Sequence, residues 1–102
     1  MLRRRHPDDK HILASREIVV LNELGLHARP AAEFVRVANG FRAEVDLIKD
    51  GERFSAASLI EVLRANLDCG AHATLEARGV DAEKAVTRLE KLLEEFRHRK
   101  EE

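Results

Sequence analysis

Cysteine, net charge and long apolar runs are all scarce in this 102-residue chain, and each scarcity excludes a class of protein. Cys69 is the only cysteine, which excludes an internal disulfide framework and a multi-cysteine metal site and fits a reducing, cytoplasmic location. The 18 basic and 19 acidic residues leave a formal net charge of -1, so no general attraction to nucleic acid is expected. The apolar stretches are short and interrupted by charge, so no membrane insertion is predicted.

The two ends of the chain carry no recognisable chemistry. The opening residues MLRRRHPDDKHILASR begin with basic residues but lack an apolar middle, so they are not predicted to be a secretory signal. We interpret residues 1-16 as a flexible N-terminal extension, although Arg3, Arg4 and Arg5 leave open a contact with an anionic partner. Residues 98-102 are predicted to be a solvated charged tail. The segment between them, residues 17-97, is long enough for one domain with one core.

The apolar periodicity within residues 17-97 switches between the strand and helix patterns. Four segments with β-branched or alternating residues predict strands: EIVVL at 17-21, FRAEVDLI at 41-48, ERFS after Asp50-Gly51, and AHATLEARG at 71-79. Helical spacing predicts three helices: one from Ala28, one over SLIEVLRAN at 58-66, and one after an Asp81 cap. The order β-α-β-β-α-β-α favours an α+β fold with an antiparallel sheet and its helices on one face.

The sequence GLHARP at residues 25-30 places a histidine and an arginine at the start of the first helix. Pro30 is tolerated there because the first-turn amides lack intrahelical partners. Those amides, the positive helix end and the Arg29 guanidinium together favour an anion such as phosphate. The same field disfavours a protonated imidazole, so we expect His27 to be neutral and nucleophilic. The alternative is an ordinary surface or capping histidine.

The longer stretch GLHARPAAEFV resembles the active-site signature of the HPr family, the histidine-containing phosphocarriers of the bacterial phosphoenolpyruvate-dependent sugar phosphotransferase system. The resemblance continues through ASLIEVL and CGAHATLEARG and covers roughly residues 17-97. It implies an open-faced β-sandwich, in which four antiparallel strands are covered by three helices. It also implies that His27 is phosphorylated at Nδ1, as a pros-phosphohistidine, and that Arg29 stabilises the phosphoryl group.

The resemblance further implies a stoichiometric carrier and not an enzyme acting alone. Its donor would be phosphorylated enzyme I, and its acceptor would be a IIA domain of a sugar permease. No cofactor is implied, a monomer is expected, and no metal site is proposed from the scattered histidines His6, His11, His72 and His98. The variant NELGLH is similar to the nitrogen-related branch of the family, whose members regulate other proteins. A regulatory phosphoprotein and a plain anion-binding module therefore remain alternatives.

The start of the second helix carries two competing interpretations. Ser58 matches the family's regulatory serine, which a dedicated kinase phosphorylates and a phosphorylase restores in some branches. Ser58 and Glu61 also form a capping-box pattern, and a phosphate at Ser58 would face the Glu61 carboxylate. Three apolar residues that follow are candidates for a partner-docking patch near His27 or for core packing: Leu59, Ile60 and Leu63.

Overall fold

The computed structural model describes residues 12-99, and this part of the chain holds four strands and three helices. In chain order they are β1 (Leu13–Val19), α1 (Ala28–Ala38), β2 (Glu44–Lys49), β3 (Glu52–Ser55), α2 (Leu59–Arg64), β4 (His72–Arg78) and α3 (Ala82–His98). The predicted element order is therefore confirmed. None of these helices combines the length and the apolar content needed to cross a membrane.

The four strands form one antiparallel sheet in the order β1-β4-β2-β3. Successive side chains of a strand point to opposite faces, so each strand divides its residues between the core and the outer surface. Val45 and Leu47 of β2 and Leu75 of β4 lie on the inner face and are buried. The alternation predicted for β2 and β4 is thus confirmed.

All three helices cover the inner face of the sheet. The longest contribution comes from α3, whose buried stripe consists of Ala82, Ala85, Val86, Leu89, Leu92, Leu93 and Phe96. Burial of each large aliphatic side chain of this kind contributes about 1.5–3 kcal/mol. The outer face is polar, and there Arg53 pairs with Asp46 at 3.0 Å and with Glu76 at 2.6 Å. The helices thus lie on one face, as the element order predicted, in the open-faced arrangement that the family resemblance implied.

The predicted start of β1 and the predicted limit of the N-terminal extension were wrong. The strand begins at Leu13, and its first residues pair with β4, for example Ser15 with Glu76. Residues 13–16 therefore belong to the sheet, whereas residues 1–11 of the predicted extension lie outside the described residues. The cause is Arg16, which occupies an inward position between Ala14 and Ile18 and so breaks the apolar alternation. Its guanidinium is compensated by Glu83 of α3 at 2.7 Å.

The charged tail was also placed too early. The helix α3 continues through His98, whose Nε2 lies 3.1 Å from the Glu94 carboxylate. Arg99 forms an ion pair with Glu33 of α1 at 2.8 Å. These two residues are thus attached to the domain, and residues 100–102 lie outside the described residues.

Asp81 has a different role from the helix cap expected of it. It occupies the N-cap position of α3, but its side chain makes no capping hydrogen bond. Its carboxylate instead accepts hydrogen bonds from the backbone amides of Arg42 at 2.9 Å and Ala43 at 2.8 Å. Burial raises the pKa of the Asp81 carboxyl, but these hydrogen bonds outweigh burial and hold the pKa below its usual value. Because these amides are bound to Asp81, β2 begins at Glu44 and not at Phe41.

Candidate functional site

A tight turn precedes the first helix and is closed by Asn22. The Asn22 side chain is buried, and its Nδ2 donates a hydrogen bond to the carbonyl oxygen of Gly25 at 2.6 Å. The Gly25 amide donates in return to the Asn22 carbonyl oxygen at 3.0 Å. These reciprocal bonds satisfy buried polar groups and fix the backbone immediately before His27.

Gly25 allows this turn to contact the segment that follows α2. Its φ of +67° favours glycine, and a Cβ atom at this position would lie 2.6 Å from the Leu67 carbonyl oxygen. The next residue, Leu26, donates its amide hydrogen to that same oxygen at 2.9 Å. The turn before α1 is therefore packed against the segment that follows α2.

His27 is the N-cap residue of α1, which agrees with its predicted place near the start of that helix. It is half-buried, its backbone is extended, and its side chain makes no capping hydrogen bond to the helix. Its carbonyl oxygen accepts the Ala31 amide at 2.9 Å, while Pro30 has no amide hydrogen. Within residues 12–99, the amides of Ala28 and Arg29 have no hydrogen-bond acceptor. Two donors thus remain at the positive end of the helix, beside the imidazole.

Arg29 is exposed in the first turn of α1. In the described part of the chain, no carboxylate pairs with its guanidinium. A guanidinium without an internal partner is available for a planar, two-point contact with a phosphate group. The structure therefore places a fixed cation and a histidine at the same helix end.

Ser58 is the N-cap residue of α2, and its Oγ accepts a hydrogen bond from the Glu61 amide at 3.3 Å. The predicted return bond of the capping box is absent. The Glu61 carboxylate accepts from Arg64 at 3.0 Å, and the Ser58 amide donates to the Ser55 carbonyl oxygen at 3.3 Å. Half of the predicted box is confirmed, because the serine caps the helix while Glu61 faces along it.

The apolar residues of α2 divide between core and surface. Val62 is fully buried, whereas Leu59, Ile60 and Leu63 are 37%, 71% and 40% exposed. We call these three exposed residues the α2 patch. Of the two interpretations of these residues, the structure is consistent with an exposed patch. Leu24, in the turn before His27, is also exposed, at 54%.

Lys49 also belongs to this region, although the sequence did not predict a role for it. The ammonium group of Lys49, at the end of β2, donates to the carbonyl oxygens of Ala65 at 2.9 Å and Asn66 at 2.8 Å. Its only sequence signal was its phase, because Lys49 continues the inward positions of Val45 and Leu47. A lysine on the inner face of a strand requires acceptors, and here they are the carbonyl groups at the end of α2.

His6 and His11 lie outside the described residues, and the remaining candidates within residues 12–99 do not assemble into a second site. Among residues 12–99, no group of three or more histidine, cysteine or acidic side chains is arranged to hold a metal ion. Cys69 is exposed, and its Sγ lies 3.9 Å from the Leu21 carbonyl oxygen.

Comparison with known proteins agrees with this fold and this motif. Residues 14–95 match the family described as "PTS HPr component phosphorylation site". The phosphocarrier protein HPr of Buchnera aphidicola is 39% identical over 72 residues, which are 71% of this chain and 85% of that protein. The HPr-like protein Crh of Bacillus subtilis is 35% identical over 83 residues, which are 81% of this chain and 98% of that protein.

A solved structure, HPr-C-His from Thermoanaerobacter tengcongensis, superposes with a TM-score of 0.81 at 32% identity. The alignment covers 86% of this chain and 99% of that one. Fold, motif and relatives together define a histidine-containing phosphocarrier domain. The chain belongs to the HPr family of the phosphotransferase system.

Proposed function

We propose that this protein is a stoichiometric phosphoryl carrier. His27 accepts a phosphoryl group at Nδ1 from phosphorylated enzyme I and passes it to a IIA domain of a sugar permease. The observation that carries the proposal is the position of His27 at the N-cap of α1, beside the amides of Ala28 and Arg29, which have no acceptor within residues 12–99. The donor and the acceptor follow from membership of the family.

The attack requires a lone pair on Nδ1, so the proton of the neutral ring resides on Nε2. The phosphorus–Nδ1 bond forms as the bond between phosphorus and the donor breaks, and the donor keeps that electron pair. The transferred group then places its negative charge next to the positive end of α1. Such a contact contributes about 0.3–1 kcal/mol when exposed and up to about 2 kcal/mol when partly buried.

Arg29 stabilises the phosphorylated state. Its guanidinium is exposed and has no ion-pair partner within residues 12–99, so it gains one only when the phosphoryl group arrives. An interaction that is absent before transfer and present after it favours the product over the free protein. The same contact weakens again when the group leaves for the acceptor.

The α2 patch is the docking surface for both partners. It presents three aliphatic side chains, and the adjacent Glu61 and Arg64 neutralise each other at 3.0 Å. Apolar contact therefore supplies most of the adhesion near the histidine.

The test is phosphorylation by purified enzyme I with phosphoenolpyruvate. The wild-type protein should gain one acid-labile phosphoryl group, and His27→Ala should gain none. The matched control is His72→Ala, because His72 is an exposed histidine on β4 and should leave uptake unchanged. Phosphorylation of the His27→Ala protein would overturn the assignment.

A second candidate function is regulatory. The protein is 35% identical to an HPr-like protein, Crh, and its NELGLH motif is similar to the nitrogen-related branch. In this case phosphorylation of His27, or of Ser58 by a kinase, controls the binding of other proteins. Mixing the phosphorylated protein with a IIA domain separates the two functions. A carrier loses its phosphoryl group to that domain, whereas a regulator retains it.

A further inference from the structure

We infer that Lys49 is a positioning residue for the His27 site. Its ammonium group fixes the segment after α2, and that segment holds the backbone immediately before His27. The last step of this inference, from backbone position to transfer rate, rests on the proposed function of His27.

The strand register places Lys49 beneath α2. Val45, Leu47 and Lys49 alternate onto the inner face of β2, and Lys49 pairs with Glu52 across the hairpin. The two-residue turn Asp50-Gly51 has φ values of 53° and 80°, the geometry of a hairpin turn whose twist matches the strands. The backbone of Lys49 is therefore held in place by the turn end of the β2–β3 hairpin.

The ammonium group satisfies the end of a short helix. The six-residue α2 leaves carbonyl groups without intrahelical partners at its C-terminal end. Just beyond that end, Lys49 donates to the carbonyl oxygens of the C-cap residue Ala65 at 2.9 Å and of Asn66 at 2.8 Å. The Asn66 oxygen also accepts the Asp68 amide at 2.9 Å, and a cation at this helix end is favoured by the helix dipole. Within residues 12–99, no other side chain donates to either oxygen.

Leu67, the residue after Asn66, contacts the turn that precedes His27. Leu67 is buried, and its carbonyl oxygen accepts the Leu26 amide at 2.9 Å. Gly25 packs so closely against the same oxygen that no side chain fits between them. One continuous path therefore leads from Lys49 through residues 65–67 to Leu26, the residue before His27.

Loss of the ammonium group removes the first contact of this path, the one between Lys49 and the segment after α2. The carbonyl groups of Ala65 and Asn66 lose a charged donor, and the Leu67 carbonyl oxygen is held less firmly against Leu26. Phosphoryl transfer depends on the alignment of the attacking nitrogen, so a less fixed N-cap lowers the rate. Lys49 touches no reacting atom and acts only through the backbone.

The experiment compares three variants with the wild type: Lys49→Met, Lys49→Arg and the control Lys84→Met on the exposed surface of α3. Hydrogen exchange of the Leu26 amide reports the contact with Leu67, and exchange of the Leu75 amide in the central strand reports global opening. The second measurement is the initial rate of phosphoryl uptake from enzyme I.

We expect Lys49→Met to accelerate exchange at Leu26 by about tenfold relative to Leu75, a size typical of losing a charge-assisted hydrogen bond. Uptake should fall several-fold in the same variant. Lys49→Arg should retain most of both properties, and Lys84→Met should match the wild type.

An unchanged ratio of Leu26 to Leu75 exchange in Lys49→Met would show that the Lys49 ammonium group does not hold the contact between Leu26 and Leu67. Faster Leu26 exchange with undiminished uptake would overturn the positioning role. Failure of the wild-type protein to accept phosphoryl would refute the proposed function instead, and the exchange measurements would still decide whether Lys49 holds the loop.

Discussion

Arg99 binds Glu33 through two parallel contacts, Nη1 to Oε1 at 2.8 Å and Nη2 to Oε2 at 3.3 Å. The residue that follows α3 is thereby attached to α1, the helix that begins at the candidate site. The Arg99 guanidinium also lies over the Phe96 ring, 5.1 Å from its centre. The hydrogen bond from Arg99 lowers the pKa of the Glu33 carboxyl and outweighs burial, which raises it.

This pair makes stability depend on pH. The folded-state pKa of Glu33 lies below its ordinary value of 4.5, so the stabilisation is present above that pH and is lost as pH falls through the folded pKa. Glu33→Gln should be slightly less stable than the wild type near neutral pH and equally stable in strong acid. Urea unfolding at both pH values measures this. The control is Glu23→Gln, in an exposed position.

Gly25 and Gly51 provide a matched comparison of backbone strain and steric contact. Both have positive φ, but a Cβ atom at Gly51 meets nothing within 4 Å, whereas one at Gly25 meets the Leu67 carbonyl oxygen. Gly51→Ala should cost about 1–2 kcal/mol of unfolding free energy from strain alone. Gly25→Ala should cost more and should also slow phosphoryl uptake. Equal losses in the two variants would show that the contact with Leu67 yields easily.

Asp81 should contribute more to stability than an ordinary helix cap. Asp81→Ala leaves the amides of Arg42 and Ala43 without their acceptor and should cost about 1.5–3 kcal/mol, while Asp81→Asn, which keeps one oxygen, should cost less. The folded-state pKa lies below the usual 3.8, so the advantage of the wild type over Asp81→Asn should disappear only as pH falls below that value. Denaturant unfolding across this pH range tests both statements.

Arg29→Ala should slow phosphoryl uptake by about tenfold, or about 1.4 kcal/mol, and shift the equilibrium with enzyme I toward the free protein. Its unfolding free energy should stay near that of the wild type, because the side chain is exposed and unpaired within residues 12–99. The control is Arg36→Ala, an exposed arginine in the last turn of the same helix. Equal rates for the Arg29 variant and the wild type would remove Arg29 from the mechanism.

Ser58 separates a capping role from a regulatory role. Because its Oγ accepts the Glu61 amide, Ser58→Ala should cost about 1 kcal/mol, whereas Ser58→Asp keeps a capping oxygen and should cost little. Phosphoryl uptake by Ser58→Asp should fall only modestly, since Glu61 already carries negative charge in the first turn of α2. A native-like Ser58→Asp protein with a large, salt-sensitive loss of rate would instead favour a regulatory switch.

The features predicted correctly from the sequence depend on neighbours in the chain. Apolar periodicity gave the element order, Asp50-Gly51 gave the hairpin, and the residues around His27 gave its place at a helix start. The features that were missed depend on partners far away in the sequence. Arg16 is accommodated in β1 by Glu83, and Arg99 is bound by Glu33.

The site was predictable to a similar extent. His27, Arg29 and Ser58 belong to local motifs, and the structure places them at the starts of two helices. The contacts that hold these helix starts in place were not predictable, because they join segments that are far apart in the sequence. Neither the acceptors of Lys49 nor the close approach of Gly25 to Leu67 leaves a periodic signal in the sequence.

The central position of β4 constrains the order of events during synthesis. In the described sheet β1 pairs only with β4, so Leu13 pairs with Arg78, a residue far along the chain. A nascent chain that ends before His72 contains three strands, but β1 has no partner and the β2–β3 hairpin stands apart from it. Translation adds about 5–20 residues per second, so the first strand waits on the order of seconds for its neighbour. The sheet therefore forms late in synthesis, when β4 pairs with β1 and with β2. Until then, the edge of β1 that faces β4 in the finished sheet stays unpaired.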